Sequence, residues 1–89
     1  MKQRYLEVTY RNGKPLAAYL YLPRGANAKS ARTQDGGHGM QVDFDSNGSP
    51  IGIEITAPTI VTSDQISELL QRIGQPPLRS DEWAPLQAA

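Results

Sequence analysis

The chain has 89 residues, and its nine basic and nine acidic side chains give a formal net charge of zero. That length fits one domain, and a balanced charge is a poor electrostatic footprint for a nucleic-acid-binding protein. There is no cysteine, which excludes disulfides and thiolate chemistry and favours a cytoplasmic location. Residues 1–5 do not lead into an apolar run, so we expect no signal peptide and no membrane span.

A β-hairpin is predicted at the start of the chain. Apolar side chains alternate with outward-facing ones over residues 5–10 and 16–22, which is typical of half-buried strands. A two-residue Asn12-Gly13 turn would place the two apolar sets on opposite faces. A three-residue loop with Gly13 in the left-handed conformation pairs Val8 with Leu16 and keeps one apolar face, so we predict that loop.

A second hairpin follows a long polar segment. Residues 23–37 are small, polar and glycine-containing, and we predict a mobile loop there. Apolar residues alternate again over 40–44 and 51–55 around the turn residues 46–49. A four-residue loop would set Phe44 opposite Ile51 and put all apolar side chains of this hairpin on one face.

One helix is predicted after the strands. Thr62 and Gln65 have the spacing of a capping box, and Gly74 is placed to end the helix in the left-handed conformation. A single apolar stripe lies between them, formed by Ile66, Leu69, Leu70 and Ile73. The stripe requires an apolar surface, which the inward face of the sheet provides.

The predicted fold is α+β, a four-stranded antiparallel β-meander with one C-terminal helix packed on one face. The domain covers residues 1–74, and a proline-containing tail covers 75–89. We predict no regular structure for the tail, which Leu78, Trp83 and Leu86 could anchor. Chain order suggests the strand order 1-2-3-4, but the long loop after the second strand leaves other orders open.

Residues 17–22 and the 39–55 hairpin resemble a family of small bacterial proteins. The hairpin reads Gly39-Met-Gln-Val-Asp-Phe-Asp, then Gly48, then Ile51-Gly-Ile-Glu-Ile. It is similar to the G-V-x-V-D-Y-D and G-I-E-I pattern of domain-of-unknown-function family 2283. The resemblance covers roughly residues 5–57. It implies a meander fold and brings no established activity or catalytic residue.

Asp43, Asp45, Asn47, Gly48 and Glu54 match the spacing of a calcium-binding EF-hand loop. That site needs helices on both sides of the loop, whereas the flanking residues here alternate as strands do. We interpret the match as turn chemistry and expect no metal site and no cofactor. A small-ligand, metal-binding or enzymatic site using Asp43, Asp45 and Glu54 is kept as an alternative.

Three tyrosines are predicted on the face of the sheet that points away from the core. Tyr5, Tyr19 and Tyr21 lie on neighbouring strands, and aromatic side chains are enriched at protein interfaces. With Trp83 of the tail, they are our candidate partner-binding residues. We therefore expect a non-enzymatic binding module that forms a homodimer or docks a small protein partner.

Charge is unevenly spread along the chain. Residues 1–37 hold seven basic and two acidic groups, and residues 38–89 hold two basic and seven acidic groups. The two halves could neutralise each other within one sheet, or a basic loop could contact an acidic partner or nucleic acid. A weak nucleic-acid binder, with bases stacking on the tyrosines, therefore stays as a second alternative, although acidic side chains share their face.

Overall fold

The computed structural model describes residues 3–25 and 28–87. The expectations for residues 1–2, for Ala26 and Asn27 of the predicted loop and for residues 88–89 of the tail lie outside the described part.

The described residues form a five-stranded antiparallel sheet and two helices. The elements are β1 (Tyr5–Arg11), β2 (Lys14–Tyr21), β3 (Arg32–Gly37), β4 (Met40–Phe44), β5 (Pro50–Ile55), α1 (Ser63–Arg72) and α2 (Ser80–Gln87). The strand order is β1-β2-β5-β4-β3. The α+β class is confirmed. The four-stranded meander with one helix is wrong, because the sheet has a fifth strand, the chain has a second helix, and β2 pairs with β5.

Strand β5 lies at the centre of the sheet and is buried on both faces over residues 51–53. Ile51 and Ile53 are buried on the core side, and Gly52 is buried beneath Tyr19 on the other side. Both edges of β5 are paired, with β2 on one side and β4 on the other.

Part of the predicted mobile loop is the edge strand β3, so the loop prediction is wrong over that part. β3 pairs with β4 from Arg32 opposite Phe44 to Gly37 opposite Met40. The strand has no apolar alternation because helix α1 contacts it at a glycine. A Cβ on Gly36 would collide with Leu69 of α1, and the Arg72 guanidinium donates to the Gly36 carbonyl at 2.8 Å.

The β1–β2 hairpin differs from the predicted three-residue loop. Asn12 and Gly13 form a two-residue turn with φ of 54° and 77°, and the φ values of both are positive, as a type I′ turn requires. A β-bulge at Leu16 then shifts the register, so that Val8 faces Ala18 and not Leu16. The extra residue gives the hairpin the common apolar face for which we predicted a longer loop.

The β4–β5 hairpin keeps most of its predicted pairing. Val42 lies opposite Ile53 and Met40 opposite Ile55, as expected. A bulge sets Phe44 opposite Pro50 instead of Ile51. The turn is held by the Asp45 carboxylate, which accepts from the backbone N–H groups of Asn47 and Ser49, each at 2.9 Å.

Helix α1 confirms its predicted start, face and end. Thr62 and Gln65 form both hydrogen bonds of a capping box, at 3.0 and 3.1 Å. The residues Ile66, Leu69 and Leu70 are buried, and Gly74 has φ of 81°.

The tail contains a helix, so the expectation of an irregular tail is wrong. α2 lies against β1 and includes Pro85, whose missing N–H removes one hydrogen bond from a helix of eight residues. Its first turn is held by Glu82, which accepts from the Arg79 backbone N–H at 2.8 Å. Leu78 and Trp83 pack against the core, and Leu86 is buried.

Both helices lie on one side of the sheet. The buried cluster joins inward side chains of β2, β4 and β5, such as Leu20, Val42 and Ile53, to Ile66 and Leu70 of α1. Within the described residues, no helix has the length and apolar character needed to cross a membrane.

Candidate functional site: the outer face of the sheet

The opposite side of the sheet, which we call the outer face, carries two rows of side chains across all five strands. The register places Tyr5, Tyr21, Gly52, Asp43 and Thr33 side by side in strand order, and we call this the tyrosine row. The next row consists of Glu7, Tyr19, Glu54, Gln41 and Asp35, and we call it the acidic row. No helix of residues 3–25 and 28–87 covers these rows.

The three predicted tyrosines form one aromatic cluster. The Tyr5 and Tyr21 rings stack with centroids 4.5 Å apart and planes at 14°. Tyr19 meets Tyr21 edge to face at 4.7 Å. The Arg24 guanidinium lies 5.1 Å from the Tyr21 ring centre. Rings at these distances attract each other, so the cluster is held in one arrangement.

Tyr19 is fixed by a hydrogen bond that crosses strand β5. Its ring lies over Gly52, where a Cβ would overlap the ring, and its hydroxyl donates to Asp43 Oδ2 at 2.7 Å. The Thr33 hydroxyl donates to the other oxygen of Asp43, also at 2.7 Å. Burial, and then the hydrogen bond to Asp43, raise the pKa of Tyr19 well above its ordinary value.

Tyr21 and Tyr5 form the more accessible part of the cluster. The Tyr21 hydroxyl donates weakly to Glu7 at 3.3 Å. Desolvation, followed by the charge of Glu7, raises the pKa of Tyr21. Tyr5 is 48% exposed, so an apolar ring is available at the β1 edge of the cluster.

The three carboxylates of the alternative site do not converge. Asp43 accepts from Tyr19 and Thr33 on the outer face, and Asp45 holds the turn after β4. Glu54 stands exposed in the acidic row. Among the described residues, no group of three or more His, Cys, Asp or Glu side chains could hold a metal ion. Both aspartates therefore serve hydrogen bonds within the fold.

Two open clefts lie away from the outer-face rows. One, of about 530 Å³, is lined by Arg4, Pro76, Pro77 and Arg79. Arg4 already donates to Glu82 and to the carbonyls of Pro76 and Pro77, so its guanidinium serves the fold. The other, of about 650 Å³, lies beside the turn that contains Asp45.

Trp83 is separate from the tyrosines. It is half-buried against the core, on the helix-bearing side of the sheet. The four residues predicted to bind a partner therefore do not form one surface, since the three tyrosines share the outer face and Trp83 anchors α2.

The tip of the β1–β2 hairpin also belongs to this face, although no sequence pattern predicted it there. Arg11 and Lys14 lie directly opposite each other in the last pair of the hairpin, and both are exposed. Strand alternation puts Arg11 on the same face as Tyr5 and Glu7. The two-residue Asn12-Gly13 turn places Lys14 opposite Arg11, where the predicted three-residue loop would not have paired them.

Comparison of the chain with protein-family models, curated proteins and solved structures found no match.

Proposed function

We propose that this chain is a non-enzymatic binding module that associates with a second copy of itself through the outer face. The observation that supports it is the aromatic cluster of Tyr5, Tyr19 and Tyr21 on a sheet face that neither α1 nor α2 covers. Tyrosine side chains are enriched at protein interfaces because they bring a large apolar area with few rotatable bonds.

The cluster has little conformational freedom left to lose on binding. Tyr19 is hydrogen-bonded to Asp43 at 2.7 Å, and Tyr21 is stacked on Tyr5. Ordering a rotamer-rich side chain at an interface costs about 0.5–1.5 kcal/mol. Rings that are already fixed avoid most of this cost.

The two alternative functions, a carboxylate-based site and nucleic-acid binding, are less well supported by the residues of the outer face. Asp43 and Asp45 are engaged in hydrogen bonds within the fold, which argues against a carboxylate-based ligand or catalytic site. Glu7, Glu54 and Asp35 stand in one row of the face, and their negative charge opposes nucleic acid.

The same proposal includes the family and the location of the protein. The pattern of residues 39–55 supports membership of domain-of-unknown-function family 2283, among small bacterial proteins. The absence of cysteine in the sequence supports a cytoplasmic location.

The test is the solution mass, measured by light scattering across a dilution series, with two matched tyrosine variants. Tyr5 and Tyr10 lie near the two ends of β1 and have similar exposures of 48% and 47%. Tyr5 belongs to the outer face, whereas the Tyr10 hydroxyl donates to the Pro85 carbonyl of α2 on the other side. We expect wild type and Tyr10→Ser to gain mass with concentration, and Tyr5→Ser to remain monomeric.

A wild-type chain that stays monomeric at every concentration would reject self-association. Equal loss of association in both variants would show that the outer face is not the contact surface, even though a dimer forms.

A further inference from the structure

The basic hairpin tip and the acidic row carry opposite charges on one face. Arg11 and Lys14 oppose each other directly, and like charges placed this way are destabilising. Neither has an ion-pair partner among the described residues, and neither does Glu54 of the acidic row.

These charges do not form ion pairs with one another within one chain. Glu7 and Arg11 are four residues apart on the same strand, which places their backbones about 13–14 Å apart. Thr9 and Ala17 form the row that lies midway between the acidic row and the tip. Both residues of this row have small side chains, and the bulge residue Leu16 lies beside it on β2.

The hairpin also extends beyond the rest of the sheet. The last pair between β2 and β5 is Ala18 with Ile55, so Lys14–Ala17 have no strand on that side within the described residues. A second molecule can therefore approach the tip from the outer face without meeting another strand.

We infer that the complement of this face is the same face of a second copy, related by a two-fold axis through the Thr9–Ala17 row and perpendicular to the strands. This inference rests on the proposed self-association and adds its orientation. The rotation reverses the order of the rows along the strands. Each strand then lies over the same strand of the other copy. Arg11 of each copy then lies over Glu7 of the other, and Lys14 lies over Tyr19 and close to Glu54.

The same rotation gives the aromatic cluster a role. It places Tyr5 and Tyr21 over the Asn12-Gly13 turn of the other copy, where no side chain larger than asparagine blocks the rings. Two sheets with nearly aligned strands pack at about 10 Å, which suits this contact.

The contact is small. Two strands spaced about 4.8 Å apart and overlapping for about nine residues give a flat footprint of roughly 300 Å² per copy. Stable interfaces bury about 800 Å² per partner. The dimer is therefore weak and concentration-dependent, and it weakens with salt because its ion pairs lie at an accessible rim.

Charge reversal tests the orientation. The tip variant is Arg11→Glu with Lys14→Glu, and the row variant is Glu7→Lys with Glu54→Lys. Each variant alone places like charges against each other at both ends of the contact, and we expect its dissociation constant to rise about tenfold or more. An equal mixture restores opposite charges at both ends, so we expect a 1:1 heterodimer of about wild-type affinity.

The control separates this geometry from general attraction between oppositely charged molecules. Lys29→Glu with Arg32→Glu changes the net charge as the tip variant does, and Asp64→Lys with Glu68→Lys changes it as the row variant does. These four positions lie outside the proposed contact. A mixture of the two control variants should therefore associate no more tightly than either control variant does by itself.

Sedimentation equilibrium of the separate and mixed variants gives the readout. A Tyr5-dependent wild-type dimer without heterodimer rescue would overturn the orientation and leave the proposed function standing. Absence of any dimer in wild type and in the mixture would overturn both. Heterodimer formation in the target mixture but not in the control mixture is the expected result.

Discussion

Gly52 determines, through its missing side chain, how the outer face is arranged. Because the residue has no Cβ, the Tyr19 ring can cross β5 and place its hydroxyl on Asp43 of β4. A glycine inside a strand usually weakens it. Here the loss is offset by a hydrogen bond and by a packed aromatic ring.

Replacing Gly52 with alanine should therefore be costly. The added methyl group overlaps the Tyr19 ring, and we expect a loss of about 1–3 kcal/mol in the free energy of unfolding, as is usual for overpacking. Urea denaturation measures it. Gly25→Ala is the matched control, since that position has an open environment, and it should change stability little.

The double variant Gly52→Ala with Tyr19→Ala provides the discriminating result. If the collision with Tyr19 is the cause, the two losses combine to less than their sum. Full additivity would contradict the proposed role of Gly52.

The ionisation of Tyr19 should make stability depend on alkaline pH. Burial, and then the hydrogen bond to Asp43, raise its pKa in the folded state above the ordinary value of 10.0. A group with a raised pKa contributes stability below its unfolded pKa, and the contribution is lost as pH rises toward the folded value. We expect the free-energy difference between wild type and Tyr19→Phe to be constant at neutral pH and to shrink above pH 10.0.

Urea unfolding of both proteins from neutral to alkaline pH measures this effect. A Tyr19→Phe difference that is unchanged through the alkaline range would refute the buried hydrogen bond.

Among the elements, the β1–β2 hairpin shows how a turn and a bulge act together. The two-residue turn alone would set the apolar sides of β1 and β2 against opposite faces. The extra residue at the bulge, Leu16, is 51% exposed and corrects the phase. The turn type follows from Asn12 and Gly13, and the bulge follows from the requirement of a common core.

Deleting Leu16 should therefore be tolerated. Tyr10 lies opposite Pro15 on the tip side of the bulge, and Thr9 lies opposite Ala17 on the other side. Without Leu16, these two pairs would follow each other as in a regular hairpin, and the inward side chains of β2 would still point inward. We expect the pairing of Leu6 with Leu20 to persist in cross-strand nuclear Overhauser effects. Deleting Ala18 is the control, since it shifts later inward side chains to the outer face and should unfold the hairpin.

At the scale of the whole molecule, a buried ion pair joins the two ends of the described chain. Arg4 binds Glu82 through two hydrogen bonds of 2.6 and 2.7 Å, and the two side chains are 6% and 2% exposed. Burial alone would raise the pKa of Glu82, but the hydrogen bonds from Arg4 and from the Arg79 backbone outweigh it and lower the pKa. The pair fastens α2 beside β1.

Removing one partner should cost more than removing an exposed charge. Glu82→Leu leaves the Arg4 guanidinium buried without its carboxylate, and we expect a loss of about 3–5 kcal/mol in the free energy of unfolding. Asp81→Asn, at a side chain that is 72% exposed, should leave the free energy of unfolding nearly unchanged. Chemical denaturation of the two variants measures the difference, and equal small effects would show that the pair does not fasten α2.

Acidification should remove the same stabilisation. A lowered pKa contributes stability above the ordinary value of 4.5, and the contribution is lost as pH falls through the folded value. The difference in unfolding free energy between wild type and Glu82→Gln should be constant near neutral pH and shrink below pH 4.5.

Local patterns predicted the elements whose signals lie close together in the sequence. The capping box of Thr62 and Gln65, the stripe of Ile66 and Leu70, and the pairing of Val42 with Ile53 were all predictable, because side-chain period and capping depend on neighbours. The aromatic cluster of the outer face was predictable for the same reason, since alternation puts Tyr19 and Tyr21 on one side of β2.

The tertiary structure alone decided the features that depend on distant residues. β3 exists because β4 and α1 contact a polar, glycine-containing segment, and α2 exists because Glu82 meets Arg4, 78 positions away. The position of β5 beside β2, and so the meeting of Tyr19 with Asp43, depends on long-range pairing that alternation does not encode. The periodicity of the sequence thus determined which side chains lie on the same face of a strand or helix. Packing between distant segments determined which strands and helices contact each other.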